Sequence, residues 1–275
     1  MRQFVAAAAQ MDSGPDRHSN LMRMESLIQE AGDKGASLVV FPEMSVILPS
    51  TGSERRNATE SIPGPSVDFL AARARSARIW VHCGSILERV DGDERSYNTS
   101  VLLDPDGSIA AIYRKIHLFD VDIDQGPSVT ESTSYAPGKE IVAVQTDLGI
   151  IGLSICYDLR FPELFRILAL RGAQLLTVPA CFTAATGKEH WEPLLRARAI
   201  ENLAYVIAPG QIGKKPRYNA NGKSMIVDPW GTVIACKASG EGLILAEIDL
   251  DRVDTLRKSL PNLTNRRPET YRWDE

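Results

Sequence analysis

The sequence predicts an α/β fold built from two similar halves. Short apolar runs of strand length alternate with segments of helical periodicity along the 275 residues, which is the pattern of α/β architecture. The apolar runs 38–41 and 175–178 are each followed by a proline. Two hairpin turn signals, Asp-Pro-x-Gly at 104–107 and 228–231, come later in each half. The same order of elements therefore occurs twice.

The first half is expected to contain five strands and two helices. Apolar residues recur at helical spacing in 21–31 and 67–77, which predicts one helix at each place, and Gly35 is the expected stop of the first. The predicted strands of this half are 4–9, 38–41, 79–81, 97–103 and 108–113.

The second half repeats this order. Its predicted helices span 163–170, which Gly172 is expected to end, and 193–203. Its predicted strands are 150–156, 175–178, 205–208, 224–227 and 232–236.

The similarity between the halves extends to individual residues. Segment 35–42 parallels 172–179, and segment 100–107 parallels 224–231. We infer two α/β halves related by a pseudo-two-fold axis, whose sheets pack as a sandwich; chance similarity of common strand-turn patterns is the alternative. Since two repeats do not make a solenoid, we expect one domain over 1–275.

The C-terminal tail, from about residue 251 to 275, fits neither half. We therefore expect it to pack across a partner subunit.

Composition and charge exclude several classes of function. The net charge of -4 gives no electrostatic reason to expect nucleic-acid binding. No apolar run approaches the roughly 20 residues of a membrane span, and 4–9 is too short for the core of a signal peptide. The four cysteines are scattered without a CxxC pair, and the four histidines form no spaced cluster. We expect no metal and no membrane partner, and a reducing cytoplasm as the compartment.

Cys156 is the candidate nucleophile. It ends a predicted strand, and Pro162 and Glu163 suit the first turn of a helix shortly after it. A helix-end dipole and nearby cations would favour its thiolate. A buried cysteine that only fills apolar space is the alternative.

Glu43 and Lys115 are the candidate partners of this thiol. Glu43 follows Pro42, whereas Ala180 follows the matching Pro179 in the second half. The two halves therefore share the proline but not the carboxylate after it. An apolar setting would raise the pKa of a carboxyl and suit proton transfer. A surface carboxylate and a solvated lysine are the alternatives. Thiol, carboxylate and ammonium together match amide hydrolysis by covalent catalysis.

These motifs resemble the nitrilase superfamily, or carbon-nitrogen hydrolases, over essentially the whole chain. The matching segments are 41–43, 113–119, 131–132, 152–163, 186–187, 190–192, 196–201 and 228–231. The resemblance implies a four-layer α-β-β-α sandwich and a triad in which Glu43 is the base and acid, Lys115 the oxyanion stabiliser and Cys156 the nucleophile. It also implies that Glu131 orients Lys115 and the substrate, and that the backbone N–H of Tyr157 is a second oxyanion donor. Family members form dimers or larger homo-oligomers and need no cofactor.

Three segments, 156–163, 190–191 and 266–271 in the tail, are similar to the amidase branch that holds omega-amidases and deaminated glutathione amidases. The chain departs from the omega-amidase pattern in 44–50, which lacks an aromatic-rich segment and is expected to line the acyl pocket. Further candidates for substrate contact are Phe182, Thr183 and Thr186, which could line the pocket, and Arg160, which could bind a substrate carboxylate. The two threonines could instead cap a helix, and Arg160 could instead pair with Glu163 or Asp158.

The expected function is hydrolysis of a small, carboxylate-bearing primary amide to acid and ammonia through a cysteine thioester. A nitrilase or an N-carbamoyl amine amidohydrolase would use the same residues. The sequence is also compatible with a hydrolase in which His117 or His190 activates Cys156, and with a non-catalytic binding protein in which this thiol is unreactive.

Overall fold

Two β-sheets face each other and helices cover the outer face of each in a computed structural model, which describes residues 2–123 and 128–271. The helices are α1 (Arg17–Asp33), α2 (Gly52–Ala58), α3 (Pro65–Ala77), α4 (Pro162–Leu170), α5 (Ala184–Asn202) and α6 (Leu250–Ser259). Single turns of 3₁₀ helix span Glu131–Thr133, Cys156–Arg160 and Pro268–Thr270. The strands are β1 (Gln3–Gln10), β2 (Ala36–Val40), β3 (Trp80–His82), β4 (Ile86–Arg89), β5 (Ser96–Leu103), β6 (Ile109–Arg114), β7 (Asp120–Asp122), β8 (Ser128–Thr130), β9 (Ala143–Thr146), β10 (Gly149–Leu153), β11 (Leu175–Thr177), β12 (Tyr205–Ala208), β13 (Ile212–Lys214), β14 (Asn219–Asn221), β15 (Ser224–Val227), β16 (Val233–Lys237) and β17 (Gly242–Asp249).

The order of strands confirms the internal repeat. The first sheet runs β17-β1-β2-β3-β5-β4, with β6 also paired to β5, and the second runs β16-β15-β12-β11-β10-β9. In the first sheet β1, β2 and β3 are parallel and β5 and β6 follow antiparallel. In the second, β10, β11 and β12 are parallel and β15 and β16 follow antiparallel. The predicted four-layer α-β-β-α sandwich is therefore correct.

Strand β1 shows how one strand can serve two layers of core. Ala6 and Ala8 belong to the core that joins both sheets, whereas Ala7 and Ala9 pack with the residues of α1 and α3. Successive side chains of a strand point to opposite faces, and this strand is buried on both. Its small alanine side chains allow the layers to approach closely.

Two predicted elements end or begin elsewhere. The strand predicted over 150–156 ends at Leu153, and Cys156 instead begins a single helical turn. The helix predicted from Pro193 begins at Ala184, with Thr183 as its N-cap, so that Pro193 lies inside it. This proline removes the helical donor for the carbonyl of Glu189. Because Glu189 is exposed, water can take the donor's place.

The beginning of the C-terminal tail packs on its own chain. Leu250 and Val253 of α6 are buried in the core that joins the sheets, and Arg257 donates to the Leu203 carbonyl at 3.1 Å. Strand β17, which the sequence patterns do not predict, pairs with β1 along its whole length. Residues 272–275 lie outside the described residues, and packing of the tail across a partner remains a prediction.

None of the helices in 2–123 and 128–271 has both the length and the apolar character needed to cross a membrane.

Candidate active site

Four predicted site residues come together from distant parts of the chain. Glu43 follows β2, Lys115 follows β6, Glu131 follows β8 and Cys156 follows β10. Glu43, Glu131 and Cys156 line one pocket, and the Lys115 ammonium contacts both carboxylates. Since these residues belong to both repeats, the pocket lies between the halves.

Lys115 bridges the two glutamates. Its Nζ donates to Glu43 Oε1 at 3.0 Å and to Glu131 Oε2 at 2.8 Å. Lys115 is only 1% exposed and Glu43 3%, so water screens these interactions little. Burial alone lowers the pKa of Lys115, but Glu131 and Glu43 outweigh it and hold that pKa well above the ordinary value. The ammonium is therefore charged at neutral pH.

Both oxygens of the Glu43 carboxylate are held by further donors. Asn98 Nδ2 donates to Oε1 and the backbone N–H of Cys181 donates to Oε2, each at 2.8 Å. Asn98 belongs to the first repeat and Cys181 to the second, while Gln211 Nε2 donates to the Glu43 carbonyl at 3.0 Å. The carboxylate is thus fixed in place before any substrate binds.

Glu131 is positioned through the same oxygen that binds Lys115. The backbone N–H of Phe119 donates to Glu131 Oε2 at 2.8 Å. Burial raises the pKa of the Glu131 carboxyl, Lys115 opposes this effect, and Glu43 adds to it. The arrangement gives Glu131 the means to orient the ammonium.

Cys156 adopts a backbone conformation that is unusual for a residue with a side chain. Its φ is 49°, in the left-handed region that costs roughly 1–2 kcal/mol, and its N–H donates to the Pro179 carbonyl at 2.8 Å. The sharp turn leaves the residue lining the pocket with Glu43 and Glu131. Such strain is commonly found at functional sites.

The resting state of the Cys156 sulfur differs from the expectation that a helix-end dipole and nearby cations favour its thiolate. Burial instead raises the pKa of the thiol well above its ordinary value, Glu43 adds to this, and Lys115 opposes it. The sulfur is therefore a protonated thiol at rest, and attack requires a base to remove the proton.

The turn after Cys156 is anchored so that one backbone donor stays available. Asp158 is fully buried, and its Oδ2 accepts from the Ile155 N–H at 2.8 Å and from the Tyr113 hydroxyl at 2.6 Å. The N–H of Tyr157 has no hydrogen-bond acceptor among the described residues. It can therefore donate to an oxyanion formed beside Cys156.

The two histidines considered as alternative bases do not line the pocket of Cys156. His117 Nδ1 lies 2.7 Å from Asp158 Oδ1, and its ring stacks on Phe161 with 3.6 Å between centroids. His190 is exposed and contacts Arg160. This geometry gives the hypothesis of a Cys-His hydrolase no support.

The predicted substrate contacts divide into two groups. Phe182, Thr183 and Thr186 line the pocket of Cys156. Thr183 also caps α5 by accepting a hydrogen bond from the Thr186 N–H at 3.5 Å. Thr183 therefore both lines the pocket and caps the helix. Arg160 is not among the lining residues.

Arg160 forms neither of the ion pairs that its sequence neighbours suggest. Its Nη1 lies 3.2 Å from His190 Nδ1, and its guanidinium carbon lies 5.2 Å from the centroid of the Phe182 ring. Asp158 is occupied by Tyr113, Ile155 and His117. A direct contact of Arg160 with substrate remains a prediction.

A larger cavity of about 180 Å³ adjoins this pocket. Glu43, Glu131, Cys181 and Tyr218 line both spaces. Most of the segment 44–50, predicted to form the acyl pocket, borders this cavity, and so does Arg55 of α2. Sequence reasoning missed the donor Asn98, Tyr218 and Arg55, none of which lies in a recognisable motif.

The two-sheet sandwich thus brings carboxylates, a lysine and a thiol together at one pocket, which is a set of groups that can act on a carbonyl-like carbon. Residues 5–258 match the model of the carbon-nitrogen hydrolase family, and the chain belongs to this family as an enzyme of the nitrilase superfamily.

Curated relatives include proteins named deaminated glutathione amidase. The one from Synechocystis sp. (strain PCC 6803 / GT-S) is 42% identical over 97% of this chain and 99% of its own length. The one from Homo sapiens is 42% identical over 97% of this chain and 83% of its own length. These likenesses extend over nearly the whole chain.

Solved structures have the same fold. The crystal structure of the Caenorhabditis elegans NitFhit protein is 38% identical with a TM-score of 0.92, and the match covers 98% of this chain and 66% of that chain. Saccharomyces cerevisiae Nit3, a member of branch 10 of the nitrilase superfamily, is 31% identical with a TM-score of 0.86 over 98% of this chain and 97% of that chain.

Proposed function

We propose that this enzyme hydrolyses a small, carboxylate-bearing amide through a thioester on Cys156. The observation that supports this most strongly is the buried Lys115 ammonium, which bridges Glu43 and Glu131 at the pocket that Cys156 lines. The three groups needed for nucleophilic attack, proton transfer and charge stabilisation are thus adjacent.

Acylation begins with a proton transfer. Glu43 accepts the proton of the Cys156 thiol while the sulfur attacks the amide carbon. The Lys115 ammonium and the Tyr157 N–H stabilise the oxyanion. As the C–N bond breaks, Glu43 gives the proton to the departing nitrogen, which leaves as ammonia from a primary amide.

Deacylation reverses the roles. A water molecule gives a proton to Glu43, and the oxygen of this water attacks the thioester carbon. The C–S bond then breaks, Glu43 returns the proton to the sulfur, and the carboxylic acid leaves. Throughout, Glu131 holds Lys115 toward the reacting oxygen.

The substrate class is proposed from the relatives and from the sequence. Deaminated glutathione carries carboxylates and amide bonds, so it stands beside primary monoamides as a candidate substrate. A nitrile or an N-carbamoyl amine is the second candidate, since either carbon accepts the same thiol attack with the same residues.

Matched substrates distinguish these candidates. Amide, nitrile and N-carbamoyl compounds of equal chain length are compared by ammonia release, and deaminated glutathione by release of a primary amine. Cys156→Ala is expected to abolish turnover, whereas Cys236→Ala, at an exposed cysteine, is the matched control and should retain it. Undiminished turnover by Cys156→Ala contradicts the proposal.

The proposal includes a homodimer or larger homo-oligomer in a reducing cytoplasm. All four cysteines are free thiols in the structure, in keeping with such a compartment. Sedimentation velocity measures the size of the assembly. A single monomeric species at micromolar concentration contradicts the proposed homo-oligomer. Cell fractionation checks the location.

A further inference from the structure

Arg55 is a buried arginine without a carboxylate partner. It is only 8% exposed, and within 2–123 and 128–271 it forms no ion pair. Buried charges are normally paired, because an isolated one is costly. A buried guanidinium that is unpaired within the described residues therefore points to a partner outside them.

The hydrogen bonds of Arg55 leave part of its guanidinium unused. Nη1 donates to the Ser134 carbonyl at 2.8 Å and lies within 3.5 Å of Ser96 Oγ and the Glu94 carbonyl. Nε is buried without an acceptor, and Nη2 has none among the described residues. Nε is out of reach of a ligand in the cavity, whereas Nη2 can donate a charge-assisted hydrogen bond to an anion there.

Arg55 lies in the wall of the cavity that adjoins the catalytic pocket. Its guanidinium carbon is 5.8 Å from the centroid of the Tyr135 ring, which lines the same cavity. The other cations there are Lys215, which pairs with Asp12 at 2.7 Å, and Arg217, which is exposed. Arg55 is thus the buried cation of this cavity that lacks an anionic partner within the described part of the chain.

The cavity also offers a neutral donor. The Tyr135 hydroxyl has no hydrogen-bond partner among the described residues, and burial raises the pKa of this phenol well above its ordinary value. The phenol therefore keeps its proton and can donate it in a hydrogen bond. The rest of the wall is mixed: Met44, Leu48 and Val129 are apolar, whereas Glu43 and Glu131 are carboxylates that Lys115 bridges.

We infer that Arg55 is the anion-binding residue of the substrate cavity and holds a carboxylate of the amide substrate. This inference rests on the proposed amidase function and names the residue that selects its substrate class. Arg55 thereby takes the role that the sequence suggested for Arg160, which lies outside the walls of both spaces.

Paired substrates test this inference. Malonamate, succinamate and glutaramate are each compared with their neutral methyl esters, using wild type, Arg55→Gln and Arg55→Lys. Since a hydrogen bond to a charged group is worth several kcal/mol at most, Arg55→Gln is expected to raise KM for the acids about 10- to 100-fold. Turnover of the esters should stay within about threefold of wild type, and Arg55→Lys should be intermediate on the acids.

Arg217→Gln is the matched control, because this exposed cation borders the same cavity. Arg217→Gln is expected to raise KM for the acids about fivefold or less. If Arg55→Gln loses activity equally on the acids and on the esters, the role of Arg55 is purely structural and the inference is overturned. The inference is also overturned if Arg217→Gln loses the preference for acids over esters while Arg55→Gln retains that preference.

Two further outcomes separate the inference from the proposed function. If wild type hydrolyses acids and esters equally, the amidase proposal stands and the Arg55 subsite is overturned. If wild type hydrolyses none of the six compounds, the test of Arg55 becomes the affinity of glutarate, measured by titration calorimetry. A weaker affinity in Arg55→Gln than in wild type supports the anion site, and equal affinities overturn it.

Discussion

Replacing Lys115 by methionine is expected to destabilise the protein by about 3–5 kcal/mol at neutral pH. That range is the cost of removing one partner from a buried ion pair, which leaves an uncompensated charge. Lys115 and Glu43 are nearly inaccessible to water, and Glu131 loses its ion pair with Lys115 at the same time. Two carboxylates would then face each other without a cation.

The loss is expected to depend on pH. Burial already raises the pKa of the Glu131 carboxyl, and Lys115 opposes this effect. Without the ammonium this pKa rises further, so the folded variant takes up a proton at a pH where the unfolded chain is still ionised. The stability deficit is therefore largest at about pH 8 and shrinks as the pH falls toward about 5.

Urea unfolding followed by tryptophan fluorescence measures this deficit, at one fixed protein concentration because association adds to apparent stability. Lys34→Met is the matched control, since the exposed pair with Glu30 is worth at most about 1 kcal/mol. The double variant Lys115→Met/Glu131→Gln should recover part of the loss at high pH. A Lys115→Met protein no less stable than Lys34→Met, or a deficit that does not change with pH, refutes this reasoning.

Three further predictions concern the backbone around the site. Cys156→Gly should be about 1 kcal/mol more stable than Cys156→Ala in thermal unfolding, because φ is 49° there; equal or reversed stabilities contradict the strained turn. Asp158→Asn should cost about 2 kcal/mol and lower kcat more than it raises KM, because hydrogen bonds to a buried charge are lost beside the nucleophile; unchanged kcat in steady-state assays argues against this positioning role. Gly84→Ala should cost more than about 2 kcal/mol and reduce activity, because its Cβ would lie 2.0 Å from the Pro42 carbonyl oxygen. Gly92→Ala, at a similar positive φ with open space around it, separates the clash from the backbone strain, and equal losses in the two variants would show that the clash is not responsible.

The elements of the fold could largely be predicted because their signals are local. Short apolar runs and Gly or Pro stops located the parallel strands of both repeats within a few residues. Strand β17 was missed although residues 243–246 form an apolar run, which is only half-buried in the fold. Its place beside β1 depends on a pairing between the two ends of the chain.

The site was predictable to the extent that its residues lie in motifs. Glu43, Lys115 and Cys156 follow strands in recognisable segments, and the structure brings them together. Asn98 carries no such signal, since it donates to Glu43 across 55 positions of sequence. The protonated state of Cys156 was also beyond reach, because it depends on burial and on Glu43 rather than on neighbours in the sequence.

The most direct test of the central claim is to detect the acyl group on sulfur. Enzyme quenched during turnover of a primary amide is digested and its peptides are weighed by mass spectrometry, with Glu43→Gln included because it should slow hydrolysis of the thioester. We predict that the peptide containing Cys156 gains the mass of the substrate less ammonia, and that peptides containing Cys83, Cys181 and Cys236 do not. Steady turnover with Cys156 unmodified at every time point would contradict the account.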